Sequence, residues 1–184
     1  MIYYLSEIKL QSNEPSWTAS GEHIWGTFFG LFGLPNNLRW VVSTKPLESL
    51  ADAECLSCEA LTPTARPDTF TPPTRPGVYV FRRFEVMPAN VDRFVELSQE
   101  AWETFEGDDD FTAEPLGLFR PTQTAGIDPD QHTDTEMMCL ITWYDSFAAW
   151  ERSRRPDPAA SENFRARSEL TLTTQATATR LIHA

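Results

Sequence analysis

The sequence predicts an α+β fold of two tandem ferredoxin-like repeats, whose antiparallel sheets pack face to face around an apolar lumen. The prediction depends on an internal repeat, on a proline-rich segment near the middle, and on the hydrophobic periodicities of helices and strands. Three pairs of segments match: IYYL at 2–5 with VYVF at 78–81, GLF at 30–32 with GLF at 117–119, and KPLESL at 45–50 with DSFAAW at 145–150. A duplicated strand-helix-strand-strand-helix-strand unit is ferredoxin-like.

The distance between the matched segments grows along the chain. It is 76 residues for the first pair, 87 for the second and 100 for the third. We therefore expect a shorter first helix in the first repeat and a longer hairpin loop in the second. Both changes fall where differences in length are well tolerated.

The first repeat, residues 1–61, is predicted from its local patterns. Residues 2–10 alternate as a strand does. Pro46 stands at the first position of a predicted helix, where proline is tolerated, with Leu47, Leu50 and Ala51 on one face. The other predicted elements are a helical connection at 16–25, strands at 26–33 and 38–44, and a closing strand at 58–61.

Residues 62–77 separate the two repeats. They contain five prolines mixed with threonines, a composition that favours an extended, polyproline-like conformation and resists packing. We interpret this segment as the linker between a degenerate repeat at 1–61 and a better preserved repeat at 78–184.

The second repeat has clearer signals in the same order. Apolar residues between Val91 and Phe105 recur at i, i+3, i+4 and i+7, which marks an amphipathic helix. A further helix opens at Asp145 and Ser146. The remaining predicted elements are strands at 78–86, 116–120, 137–144 and 176–183 and a final helix at 161–170.

The composition excludes several classes of partner. The net charge is −12 and the isoelectric point about 4.6. We expect neither nucleic acid nor an anionic membrane surface as a partner, because both attract positively charged proteins. No run of about 18 apolar residues occurs, and the opening residues alternate like a strand rather than a secretory leader. Three cysteines are few for a secreted disulfide scaffold, so we expect a cytoplasmic protein.

The second half resembles a known family. The stretches VYVFRRFEVMPANVDRFVEL, LGLFR and LITWYDSFAAWE, within residues 78–155, are similar to the NIPSNAP domain of the dimeric α/β-barrel superfamily. The resemblance implies that the two units form one pseudo-dimeric barrel, with helices outside and a pocket within each unit. It also implies kinship with cofactor-free monooxygenases, haem-degrading enzymes and isomerases. Because that range is wide, the fold does not determine the function.

Two adjacent arginines, Arg82 and Arg83, stand in the middle of the strand at 78–86. Side chains alternate along a strand, so one of the two should point inward. The resemblance places Arg82 near the pocket. A buried arginine requires an anionic partner, which is either a carboxylate in a structural ion pair or the carboxylate or enolate of a ligand. The equivalent residue of the first repeat is Ser6, so a site at Arg82 would be asymmetric.

Aromatic and basic residues near the hairpin of the first repeat form a second candidate. His23 is a candidate general base, with an ordinary structural role as the alternative, and tryptophans suit an aromatic ligand. Any other imidazole catalyst would have to be His132 or His183. The predicted site consists of catalytic residues His23 and Arg82 and ligand-binding residues Tyr4, Trp25, Arg39, Trp40, Phe84 and Trp143.

Two motifs resemble metal sites only superficially. Cys55 and Cys58 have CxxC spacing, but the sequence offers no second ligand pair for zinc, and the motif does not open a helix as a thioredoxin-like motif does. The acidic loop at 128–136 lacks the glycine and the final glutamate of an EF-hand. We expect a solvated hairpin loop, or a lid at the mouth of the barrel. No metal and no cofactor are predicted.

The hypothesis for function is a barrel that binds a small apolar or aromatic molecule in its lumen. If the protein is an enzyme, which the sequence leaves open, it acts without a cofactor as a monooxygenase or isomerase. The alternative is a non-catalytic interaction or scaffold module of the NIPSNAP type, whose barrel is filled by its own side chains. Haem binding is disfavoured, because no histidine lies clearly on a lumen-facing helix. The sequence also leaves open whether the pseudo-dimer associates further.

Overall fold

The computed structural model describes residues 1–12, 16–47, 50, 52–107, 112–122, 134–155 and 158–182. None of the helices found there is long and apolar enough to cross a membrane. The strands of this described part are β1 (Tyr3–Leu10), β2 (Ile24–Phe32), β3 (Leu38–Ser43), β4 (Ala53–Pro63), β5 (Val78–Val86), β6 (Ala113–Pro121), β7 (Glu136–Tyr144) and β8 (Thr171–Ile182). Its α-helices are α1 (Val91–Phe105), α2 (Phe147–Arg152) and α3 (Pro158–Glu169).

The eight described strands close into an antiparallel barrel in the order β1-β3-β2-β8-β5-β7-β6-β4. The first half contributes β4-β1-β3-β2 and the second half β8-β5-β7-β6, so both halves have the same ferredoxin-like strand order. β2 pairs with β8 and β4 pairs with β6. Each half therefore joins the other through its second and fourth strands. The predicted α+β fold, two tandem ferredoxin-like repeats in a pseudo-dimeric barrel, is confirmed.

Large aromatic side chains fill the barrel interior. Tyr79 and Phe81 point inward from β5, and the ring of Phe28 on β2 lies 5.2 and 5.1 Å from theirs, between centres. Tyr3 packs edge-on against Phe119 at 5.3 Å. All five side chains are at most 1% exposed. Since both halves contribute rings to this core, each repeat stabilises the other.

Helices cover the outer face of the second sheet, as the resemblance implied. α1 buries Phe94, Trp102 and Phe105 on one side. α2 begins directly after Ser146, whose hydroxyl accepts a hydrogen bond from the backbone N–H of Ala149 (3.1 Å). This N-cap satisfies an amide that has no partner within the helix.

The helices predicted for the first repeat are not found among its described residues. The predicted connection at 16–25 contains turns, and Gly21 adopts a φ of 127°, a backbone conformation that an α-helix does not contain. Of the helix predicted after Pro46, residues 46, 47 and 50 are not helical, and residues 48, 49 and 51 lie outside the described part. Leu47 and Leu50 nevertheless pack against the outer face of this sheet.

Several element boundaries also differ from the prediction. β4 begins at Ala53 rather than residue 58, β8 at Thr171 rather than 176, and α3 at Pro158 rather than 161. The added parts of both strands are largely exposed. Their side chains therefore carry no alternation of apolar and polar residues, although their backbones pair with β1 and β5.

The proline-rich segment packs closely against the second repeat, which corrects the expectation that it resists packing. The N–H of Thr64 donates to the carbonyl oxygen of Leu118 (2.8 Å), and the N–H of Leu118 donates to the carbonyl oxygen of Arg66 (3.1 Å). The guanidinium of Arg66 also pairs with Glu106 at 2.5 Å. Residues between the prolines retain their amide groups and can bond to β6. The domain boundaries at 61 and 78 stay a prediction.

Candidate functional site

A cavity of about 540 Å³ lies between the outer face of the second sheet and the helices α1 and α3. Its floor comes from β5, β7 and β8, and its apolar walls include Trp102, Phe105 and Phe164. Some of the sheet positions that face the helices carry smaller or polar residues, such as Thr142 and Ala176, whereas the interior positions carry several aromatic rings. Space for a ligand is therefore left on the helix side of this sheet.

Arg82 and Arg83 point to opposite faces of β5, as the alternation predicted. Arg83 forms an ion pair with Glu59 on β4, with 2.7 Å between Nη2 and Oε2. Arg82 lines the cavity and makes no ion pair or hydrogen bond with any residue of the described part. Burial lowers the pKa of Arg82; Tyr144 partly opposes this effect, and the nearby cation of Arg154 adds to it. The structural ion pair that was one alternative for Arg82 is thus formed by its neighbour Arg83.

Arg167 brings a second cation, which is buried, to the same cavity from α3. It is 6% exposed, and its guanidinium carbon lies 4.9 Å from the ring centre of Phe164 and 5.0 Å from that of Phe84. Its Nη1 donates to the hydroxyl of Ser98 at 3.2 Å. Burial, and then the charge of Arg82, lower the pKa of Arg167 to about 10. The faces of these aromatic rings stabilise the cation. No carboxylate of the described part pairs with it.

Tyr144 ends β7 beside these arginines and is 5% exposed. Burial raises the pKa of its phenol, although the charge of Arg82 and a hydrogen bond with Ser153 oppose the increase. The phenol is therefore protonated at neutral pH. In that form it can donate a hydrogen bond to an anion in the cavity.

The charge of the cavity is opposite to that of the whole protein. Four arginines line it, and none of its lining residues within the described part is an aspartate, glutamate or histidine. One of the four, Arg165, pairs with Glu169 at 2.9 Å. A positive cavity with low-dielectric walls concentrates field lines and selects anions, and here the surrounding protein carries a net charge of −12.

The structure brings together two of the eight residues predicted for the site. Arg82 and Phe84 line the cavity. The other six lie elsewhere. Trp25 and Trp143 lie in the barrel core, and Trp40 lies against that core with its Nε1 donating to Glu7 (3.2 Å). Arg39 donates to the carbonyl oxygens of Asn36 and Leu38 (2.8 Å each), Tyr4 is half-buried on β1, and His23 lies just before β2. Functional roles for these six stay predictions.

Sequence reasoning missed Arg167 and Tyr144. Phe164 and Arg167 are three residues apart, which places them on one face of α3, but the helix has little contrast between polar and apolar faces.

The acidic loop falls largely on residues 123–133, outside the described part, as do His132 and His183. The two expectations for that loop, a solvated hairpin loop or a lid, therefore stay predictions.

No family model and no curated protein matches this chain, but solved structures do. An anthrone oxidase-like protein superposes with a TM-score of 0.59 at 11% identity, covering 99% of this chain and 91% of the other. The chain has the fold of the dimeric α/β-barrel proteins. A ferredoxin-fold protein of Listeria monocytogenes, described as related to antibiotic biosynthesis monooxygenases, gives 0.54 at 9% identity, with 100% and 96% covered. A monooxygenase-like protein of Fusobacterium nucleatum gives 0.53 at 9%, with 99% and 92% covered. At these identities the likeness concerns the fold alone.

Proposed function

We propose that this protein binds a small, largely aromatic molecule that carries an acidic group, in the cavity between the second sheet and its helices. The observation that carries the proposal is a pair of arginines, half-buried Arg82 and buried Arg167, with no carboxylate partner in the described part of the chain. A buried cation without a counterion is costly. An anionic ligand would remove that cost on binding.

The walls of the cavity suit the rest of such a ligand. Trp102, Phe105 and Phe164 offer aromatic faces and edges, which pair favourably with another ring. A volume of about 540 Å³ lies within the range of small-molecule sites. A flat aromatic acid, phenol or enol therefore fits both the charge and the surface of the cavity.

The proposed reaction is oxygen addition or isomerisation without a bound cofactor. The described lining residues include no carboxylate or imidazole that could act as a base, so the substrate itself would supply an acidic C–H or O–H. Arg82 and Arg167 would stabilise the resulting enolate or phenolate, as preorganised charges do for an anion that develops during a reaction. The neighbours described as monooxygenase-like and anthrone oxidase-like support this choice. His23, which the sequence predicted as a base, has no role in this proposed reaction.

The second candidate is a non-catalytic interaction module. The aromatic core that fills the barrel interior favours it, because a filled interior was its predicted property. The proposal of an interaction module also includes membership of residues 78–155 in the NIPSNAP family. Turnover distinguishes the two candidates: a phenol or enol bound without any oxygen uptake or isomerisation would favour the module.

Binding of an acidic dye tests the cavity directly. A hydroxynaphthoquinone, whose enol and enolate differ in colour, should bind with its own pKa lowered by about 1 to 3 pH units, since opposite charges lie within a few ångströms. Absorbance titration of the bound dye measures the shift. Arg167→Met should remove most of it, whereas Arg93→Met should not. Arg93 pairs with Glu96 on the surface of α1 and is half exposed, so both variants lose one positive charge. Equal shifts in all three proteins would contradict the proposal.

A further inference from the structure

Cys55 and Cys58 form an exposed pair of thiols on β4, on the half of the barrel opposite the cavity. Both are free, whereas Cys139 is free but buried. A CxxC pair in a regular strand would be split between its faces, because side chains three residues apart point in opposite directions. The register of β4 changes this arrangement.

A β-bulge in β4 places both cysteines on one face. Cys58 lies opposite Ser6 of β1, and Cys55 lies opposite Ile8. Three steps along β4 therefore match only two along β1, which leaves Leu56 as the extra residue. Ser6 and Ile8 are two residues apart and share a face. The two thiols consequently lie side by side on the same face of the sheet.

The Cys55 thiol is also directed toward Cys58. Ser6 is fully buried, and its hydroxyl has no other hydrogen-bond partner in the described part of the chain. It interacts with the thiol of Cys55, although its cross-strand neighbour is Cys58. The Sγ of Cys55 also donates weakly to the carbonyl oxygen of Ser57 at 3.3 Å. Burial raises the pKa of Cys55, and the nearby Cys58 raises it further.

We propose that Cys55 and Cys58 bind one Cu(I) ion between their sulfurs. Positions two register steps apart on one strand face are separated by about 6.6–6.8 Å, the upper end of the Cα separation that a disulfide spans. A bridging ion spans such a pair more easily than a direct S–S bond. Soft thiolates select Cu(I), which accepts two ligands. Structural zinc requires four, and no group of three or more metal-binding side chains occurs in the described part.

Binding proceeds by proton release without a change of oxidation state. Each thiol gives its proton to solvent, and each sulfur gives an electron pair to the metal, so the site becomes a dithiolate–copper unit with a charge of −1. The hydroxyl of Ser6 can then donate to the thiolate of Cys55, which gives this buried donor a partner. Because two protons leave when the metal binds, the apparent affinity rises with pH.

Competition with a coloured Cu(I) chelator under anaerobic, reducing conditions tests the site. We expect one Cu(I) per chain, accompanied by ultraviolet thiolate-to-copper absorption. Cys55→Ser and Cys58→Ser should each weaken binding at least about tenfold, because one strong ligand is lost. Leu56→Ala is the matched control: it changes an exposed residue between the cysteines and keeps both sulfurs, so wild-type affinity is expected.

Two results would overturn the proposal. The first is wild-type affinity in Cys58→Ser. The second is a stoichiometry of one copper per two chains, which would indicate a bridge between molecules.

Discussion

Arg82→Met should raise the stability of the ligand-free protein by about 1–2 kcal/mol and at the same time remove its preference for anionic ligands. Replacing a buried charge by an apolar residue of similar volume is often neutral or stabilising. Arg82 has no ion pair or hydrogen bond in the described part of the chain, and burial lowers its pKa. Methionine retains most of the length of the side chain without the charge. Urea denaturation measures the change as a higher midpoint at unchanged slope.

Arg83→Met is the matched control for this prediction. The residue is adjacent and chemically identical, but it points to the other face and pairs with Glu59 at 2.7 Å. Its removal leaves a half-buried carboxylate without its partner, so a loss of about 1 kcal/mol is expected. Loss of stability in both variants would show that Arg82 is a structural residue and would contradict the proposal of an anionic ligand.

The stabilisation by Arg82→Met should be constant between about pH 6 and pH 9. The pKa of Arg167 is lowered to about 10 in the folded state, and the pKa of Arg82 is likewise lowered from its ordinary value. A cation whose folded pKa is lowered destabilises the protein fully below that pKa. The penalty from Arg82 decreases only as the pH rises above its lowered pKa, where the unfolded chain binds more protons. A gain that appears only near pH 6 would point to a histidine instead.

The sequence predicted the framework well because the framework depends on local periodicity and on repetition. The match of GLF at 30–32 with GLF at 117–119 indicated two equivalent sheets, and the apolar spacing in α1 indicated which side of it is buried. The opposite orientations of Arg82 and Arg83 followed from the alternation of a strand. All three inferences use short-range rules, which the tertiary structure preserved.

The position of the cavity could not be predicted in the same way. Aromatic residues such as Phe28 and Trp25 suit a ligand site or a packed core equally well, and only the three-dimensional packing shows that they fill the barrel. Arg167 lies more than eighty residues from Arg82 in the chain, on a helix with weak amphipathicity. Their proximity arises from the packing of α3 over β5, which no local pattern encodes.

Phe28→Ala should destabilise the protein by about 3–5 kcal/mol, the usual cost of removing a fully buried phenylalanine. Phe28 is 0% exposed and lies where rings from both halves meet. Gly26 stands beside it without a side chain, since a Cβ there would lie 2.8 Å from the Phe28 ring; no neighbouring Cβ is available to fill the gap. Phe32→Ala, on the same strand but 68% exposed, should cost less than about 1 kcal/mol. Thermal or urea denaturation measures both.

The same variants separate a lumen site from the cavity on the helix side. Phe28 faces the barrel interior, and the cavity lies on the other face of the second sheet. Folded Phe28→Ala should therefore bind the acidic dye with wild-type affinity and the same shift of the dye's pKa. If Phe28→Ala does not fold, the milder Phe28→Leu serves the same purpose. Weaker dye binding by folded Phe28→Leu, together with no effect of Arg167→Met on the pKa of the dye, would place the ligand in the lumen. Unchanged dye binding would show that the barrel core contributes to stability and that the arginines outside it recognise the ligand.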